Sequence, residues 1–432
     1  MNAFHPYSLN INVRGLGLSA TLAINERCKA LRREGRDIYN FGLGQSPFPV
    51  PAPVVEELKR NAHQKDYLPP HGLPALREAV AEFHRRLAHC DADPQHVLVG
   101  PGSKELMFLL QLVFYGEILV TTPCWVSYLP QAMIIGRRVS RLHTRFADDW
   151  KITPAQLLDA IERVRDDSRP RILVLNYPDN PTGVSYTAAE LRALAEVARR
   201  YRVVVLSDEI YGHLHHRGEH RSIAECYPEG TIISSGLSKW CGAGGWRLGT
   251  FVFPPDLRWL LDAMAAAASE TFTSVCAPVQ YAAVEAFRCG PQIETYLAHA
   301  RRILRLLAGR AAATLRAAGI RVTEPDGAFY LYLDFTALKD SLAARGVTDS
   351  AALCERLLEG AGAALLPGAA FVRSRGELAA RLAYVDFDGA AAMEASASTP
   401  IADRLPDGFA DEYCERVVRG CERIAQWASA EA

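Results

Sequence analysis

The chain has almost no charge of either sign to spare. Over 432 residues, 48 Lys and Arg stand against 49 Asp and Glu, a formal net charge of −1. Proteins that neutralise nucleic-acid phosphates carry a basic excess, so a nucleic-acid partner is not expected. Long hydrophobic runs are missing as well. The best candidate, Leu106 to Tyr115, is stopped by Gly116-Glu117, well short of the roughly eighteen apolar residues of a membrane helix. Met1 to Arg14 has neither the basic stretch nor the continuous apolar core of a signal peptide. Ten cysteines occur without a Cys-x-x-Cys pair or regular Cys/His spacing, which supports neither a disulfide framework nor a metal site. The expectation is a soluble, cytoplasmic protein from a reducing compartment.

What is present is an ordinary globular composition, 49% apolar and 22% charged, on a chain too long for one core. Ser19 to Glu34 has helical spacing at Leu22, Cys28 and Leu31, with Gly35 as its stop, and Ile38 to Phe41 reads as a strand entering the Gly42–Pro47 turn. From about Leu73 to Ile233 the helical and strand periods alternate. Ala75–Leu87 and Lys104–Phe114 read as helices; Val97–Val99, Ile118–Thr121, Ile172–Leu175 and Val203–Leu206 read as strands. Thr187 to Glu190 forms a capping-box pattern opening a further helix. Strands without polar alternation, separated by amphipathic helices, predict an α/β fold with a mostly parallel sheet covered by helices. Helix is expected over Leu261–Phe287, broken near Pro278, and over Ile293–Ala318. Strands follow at Ile320–Thr323 and Phe329–Leu333, then helices at Ala351–Leu358 and Asp411–Trp427. Ala390 to Gly408 reads as a loop. The expected division is a large cofactor-binding domain over 61–318 and a smaller α+β domain from 1–60 and 319–432.

One group of residues points to chemistry. Lys239 closes the polar run Ser234-Ser235-Gly236-Leu237-Ser238-Lys239, and Arg247 follows within Gly244-Gly245-Trp246-Arg247-Leu248-Gly249. Upstream lie Asn180-Pro181-Thr182-Gly183 and Ser207-Asp208-Glu209-Ile210-Tyr211. A lysine amine, an acid, a phenol, an amide and an arginine in this order suggest pyridoxal 5'-phosphate held as a Schiff base on Lys239. Asp208, at the end of a buried strand, could keep the pyridine nitrogen protonated. Tyr211 and Asn180 could donate to the cofactor's 3'-oxygen. Gly102, Ser103 and Lys104 stand between a strand and a helix, where free amides can face an anion; Arg247, Ser235 and Ser238 are further phosphate donors. Trp125 could stack on the ring. Singly, each has a plainer reading as turn, cap or core residue. His213, His215 and His216 read as a solvated loop rather than a metal cluster.

In order and spacing these motifs resemble the class I/II aminotransferases of the aspartate aminotransferase fold, the fold type I pyridoxal phosphate enzymes. The resemblance runs from about Tyr39 to the last helix. It implies an amino-acid donor and a 2-oxo-acid acceptor, with Gly44 and Asn180 beside the substrate. Tyr67 would reach the phosphate of a neighbouring subunit, which implies a homodimer with shared active sites. Arg381 would clamp the α-carboxylate, with Arg373 and Arg375 close enough to compete for that alignment. Two departures stand out: Gly236 where aspartate aminotransferases carry serine, and Glu270 where an arginine selects dicarboxylates, which favours a neutral or basic substrate side chain. The same motifs would serve a β-lyase, a decarboxylase or an oxidative or cyclising enzyme. A ligand sensor of this fold usually adds a DNA-binding domain, and the pattern beginning near residue 20 leaves no room for one.

Overall fold

The computed structural model describes residues 9–87, 90–163 and 169–430; the first part of the Met1–Arg14 segment lies outside them. Twelve strands form three sheets among these residues. They are β1 (Tyr39–Asn40), β2 (Val97–Gly100), β3 (Glu117–Thr122), β4 (Val139–His143), β5 (Arg171–Asn176), β6 (Val204–Asp208), β7 (Thr231–Gly236), β8 (Gly249–Val252), β9 (Tyr330–Asp334), β10 (Ala363–Ala364), β11 (Leu366–Pro367) and β12 (Ala379–Ala383). The large sheet has the order β2-β8-β7-β6-β5-β3-β4. Only β8 runs against its neighbours. An antiparallel β11-β12-β9 sheet and the parallel pair β1-β10 complete the set.

The helices follow from amphipathic spacing and caps. The first five among the described residues are α1 (Ala20–Arg33), α2 (Ala52–Arg60), α3 (Pro74–Leu87), α4 (Ser103–Val113) and α5 (Tyr128–Ile134). On one face of the large sheet Leu206, Ile232 and Phe251 pack with Leu106 and Leu110 of α4 and with Leu261 and Met264. On the other, Leu173, Leu175 and Val205 pack with Leu191, Leu194 and Ala198 of the helix Ala188–Arg200. Burial on both faces is what the uniformly apolar strands require. Thr187 and Glu190 form the expected capping box.

Two expectations are corrected and a third is sharpened. Ala390 to Gly408 is not all loop: Gly389–Ala397 is a helix, because Asp388 accepts from the Ala390 and Ala391 amides and alanine favours the helix. Ile320 to Thr323 contributes only an isolated bridge, Arg321 with Asp334. The break in Leu261–Phe287 falls between the helices Arg258–Thr271 and Ala277–Arg288, with Pro278 in the first turn of the second, where its missing N–H costs nothing. Among the described residues no helix is long and apolar enough to cross a membrane.

Candidate active site

Strands β5, β6 and β7 run parallel in register, so Asn176, Asp208 and Ser234 sit side by side at their C-terminal ends. Ligands collect at this edge of an open α/β sheet. A cleft of about 510 Å³ opens there, and its walls include Lys239, Asp208, Tyr211, Trp125 and Arg381.

Lys239 lies in the turn after β7. Its Nζ donates to the Gly44 carbonyl at 2.6 Å and stands 5.4 Å over the Tyr211 ring. Removal from water, with the positive charges of Arg381, Arg247 and Lys104, lowers its pKa to about 7. A large share of this amine is therefore neutral and nucleophilic near neutral pH.

Asp208 is 3% exposed, and accepts from the Tyr128 hydroxyl at 2.6 Å and from Ser234 Oγ at 3.2 Å. Burial raises its carboxyl to about 6. Among the described residues it makes no salt bridge, although it feels the charge of Lys239, an arrangement that favours a ligand bearing a protonated nitrogen. The Tyr211 hydroxyl is 2.7 Å from that of Tyr330. Trp125 meets Tyr128 edge-on at 5.3 Å.

Helix α4 starts without a side-chain cap, behind Gly102 at φ 88°. Its first amides are therefore free to meet an anion. A Cβ on Gly102 would fall 2.2 Å from Arg247 Nη2, so glycine is needed for that guanidinium to reach the helix end. Arg247 donates to the Gly244 and Pro101 carbonyls at 2.8 and 3.4 Å. Lys104 stands 5.1 Å over the Trp125 ring, and burial, then Arg247, lowers its pKa. Two neighbouring cations beside free amides make this corner of the cleft suited to an anion such as phosphate. Ser103 and Ser238 also line it.

Arg381 on β12 is 1% exposed. It donates to Asn180 Oδ1 at 3.1 Å and to the Gly42 carbonyl, and its Nε has no partner. Its guanidinium lies 4.7 Å over the Tyr330 ring. A buried arginine held by neutral acceptors is suited to a ligand carboxylate. Of its two rivals, Arg373 is committed to Glu377 and to main-chain carbonyls, and Arg375 is exposed. Gly44 makes room for the site: a Cβ there would fall 2.0 Å from the Tyr330 hydroxyl.

Not every expected residue reaches the cleft. Ser235 is outside its lining and its buried hydroxyl has no partner; alternation along β7 turns Ser234 toward Asp208 instead. Gly236 cannot be exchanged freely for serine, since a Cβ there would fall 2.7 Å from the Leu248 carbonyl. Tyr67 is 90% exposed and outside the cleft of its own chain. Glu270 is exposed near the end of the helix Arg258–Thr271 and also lies outside the lining. The histidines do not form a solvated loop. His215 and His216 are buried, and His213 packs 4.4 Å from the Phe83 ring; apolar neighbours outweigh their polarity. No signal in the sequence marks Tyr330 and Asn176, or Ser19, Thr21 and Leu22 around the start of α1, all of which line the cleft, nor Tyr128, which bonds Asp208.

The family model for aminotransferase class I and II matches residues 36–383. Aspartate aminotransferase of Geobacillus stearothermophilus is 34% identical over 83% of this chain and 90% of its own length. Aspartate/prephenate aminotransferase of Thermus thermophilus is 34% identical over 84% of this chain and 91% of its own. The solved aspartate aminotransferase from Thermus thermophilus with maleate superposes with a TM-score of 0.82 at 30% identity, covering 97% of this chain and 99% of that one. Identity of this extent, over a fold whose sheet edge gathers a lysine, an acid and an arginine in one cleft, makes the chain a member of the class I and II aminotransferases, and an enzyme.

Proposed function

We propose that the cleft holds pyridoxal 5'-phosphate on Lys239 and transfers the amino group of an L-amino acid to a 2-oxo acid in a ping-pong cycle. The observation that carries this reading is the convergence of Lys239, Asp208 and Arg381 on one cleft, none of them held in a salt bridge among the described residues. The residues fit the group. Gly102, Ser103, Lys104, Ser238 and Arg247 would hold the phosphate, Asp208 the ring nitrogen, Tyr211 and Asn180 the 3'-oxygen, with Trp125 against the ring. Bound there, the cofactor supplies an electron sink for the substrate Cα. Arg381 grips the α-carboxylate and fixes the direction of the Cα–H bond. The Lys239 amine then moves the proton between Cα and the cofactor's C4' carbon, a task its lowered pKa suits.

The test is an absorbance titration of the purified protein with amino acids added singly. Aspartate comes first, because it is named in two of the relatives. The expected result is replacement of the bound-cofactor band by that of pyridoxamine phosphate. A band that persists while ammonia, carbon dioxide or peroxide accumulates would sink the transaminase reading and favour the lyase, decarboxylase or oxidase.

The same reading includes a homodimer. An exposed Tyr67, outside its own cleft, is suited to enter a partner's site. Sedimentation should give twice the chain mass, 47.5 kDa each; a monomer with full activity would remove this part. We assign 61–318 as the cofactor-binding domain and 1–60 with 319–432 as the smaller one. The β1-β10 pairing supports grouping the two ends of the chain.

A further inference from the structure

Between β11 and β12 a short loop leaves the small sheet and meets the large one. Gly368–Phe371 is a single 3₁₀ turn, ended by Val372 at φ 68°, an unfavourable backbone for a β-branched residue. The next residue, Arg373, has a side chain only 10% exposed, and its Nε donates to Glu377 at 2.7 Å. Its Nη1 donates to the carbonyls of Thr122 and Thr144 at 2.9 and 3.1 Å. Thr122 ends β3, and Thr144 follows β4. The Phe371 carbonyl in turn accepts from the Cys124 amide at 3.2 Å. One side chain and one main-chain bond thus tie this loop to the ends of β3 and β4, the first of which leads directly into Trp125, Val126 and Ser127 of the cleft wall.

The other side of the loop touches Arg381. Its guanidinium stands 5.1 Å over the Phe371 ring. Arg373 lies 5.3 Å over Trp150, which meets Tyr332 edge-on at 5.3 Å, and Tyr332 meets Phe371 at 6.3 Å. Two walls of the cleft, one carrying Trp125 and one carrying Arg381, are therefore joined through the largely covered Arg373 guanidinium and the Cys124–Phe371 main-chain bond.

We infer that Arg373 is a positioning residue, which sets where the Arg381 guanidinium stands relative to Lys239 by fastening the 368–373 loop to the ends of β3 and β4. This rests on the reading of Arg381 as the carboxylate holder. Without Arg373, Thr122 keeps its bonds from Thr144, so the large sheet retains that corner. The Phe371 platform loses its side-chain tie and keeps only the main-chain bond from Cys124. A misplaced clamp weakens substrates that carry an α-carboxylate and leaves others untouched.

The experiment uses holoenzyme of Arg373→Met and Arg373→Lys. Two substrates are followed in single turnovers: the amino acid that responds best in the absorbance titration, and the amine left when its α-carboxylate is removed. For Arg373→Met the expected result is a KM for the amino acid raised about tenfold, kcat changed less than about threefold, and the amine rate unchanged. Arg373→Lys, which keeps one charged donor, should recover part of the loss. Parallel loss toward both substrates, or no loss toward either, overturns the inference. If Arg373→Met does not fold, Arg373→Lys decides on the same criterion. Arg381→Lys is run alongside. Should it show no selective loss, the carboxylate-holder reading fails; should it show one while the Arg373 variants do not, only the present inference fails.

Discussion

Lys239→Ala is expected to slow the amino-acid half-reaction by about 10⁴-fold or more, since one amine serves as both the cofactor anchor and the proton carrier. The bound-cofactor absorbance band should vanish with it. Retention of both would remove Lys239 from the centre of the site. The native chain offers a second readout that needs no turnover. With a pKa near 7, the amine is protonated below neutrality, and only the neutral form attacks a carbonyl. Covalent capture of pyridoxal phosphate by cofactor-free protein should therefore accelerate as pH rises through about 7 and level off above it. A rate still climbing beyond pH 9 would mean that burial and the three neighbouring cations do not depress this lysine.

Asp208→Asn is expected to act with opposite signs on reaction and stability. Burial raises the Asp208 carboxyl to about 6, above the usual value of about 3.9 for an unfolded chain. Between these values the folded state binds more proton than the unfolded one, so stability falls as pH rises through that window. Above it the cofactor-free protein carries a strain of about 3 kcal/mol, on the order of two units of pKa. Asparagine keeps the shape and removes the charge. The cofactor-free variant should melt at a higher temperature than the parent at pH 8, and the two should converge near pH 4. Meanwhile the half-reaction should fall by about 10²- to 10³-fold, because nothing then holds the ring nitrogen protonated. A variant both less stable and less active at pH 8 would point to a packing role instead.

How far the sequence could lead depended on the kind of signal each residue leaves. Lys239, Asp208, Asn180 and Arg247 stand in short glycine- and proline-marked motifs whose order is itself the evidence, and they meet in the cleft. Arg381 is picked out by the resemblance, and its partners set it apart from Arg373 and Arg375, which lie too close in sequence for pattern alone to exclude. Tyr128 and Tyr330 left no local trace. Each looks like an ordinary aromatic of a helix or strand, and gains meaning only through Asp208 and Tyr211, far away in the chain. Ser235 shows a different failure. Ser234 to Lys239 reads in sequence as one polar run, but its first half is strand, and period-two alternation decides which serine faces Asp208. The fold fared similarly: long apolar strands and capped helices were legible, whereas the helix at Gly389–Ala397 was hidden because alanine and proline together mimic a loop.

The pairing of β1 with β10 brings Tyr39 beside Ala363, and this has a consequence for biosynthesis. As the chain leaves the ribosome, every strand of the large sheet is available by Val252, so the lysine, the acid and the phosphate cradle can assemble early. The first strand has no partner until nearly the whole chain has been made, and Arg381 emerges later still. Such distant contacts form slowly, because the loop entropy is lost before the contact rewards it. A nascent chain should thus be able to capture cofactor before it can hold a substrate.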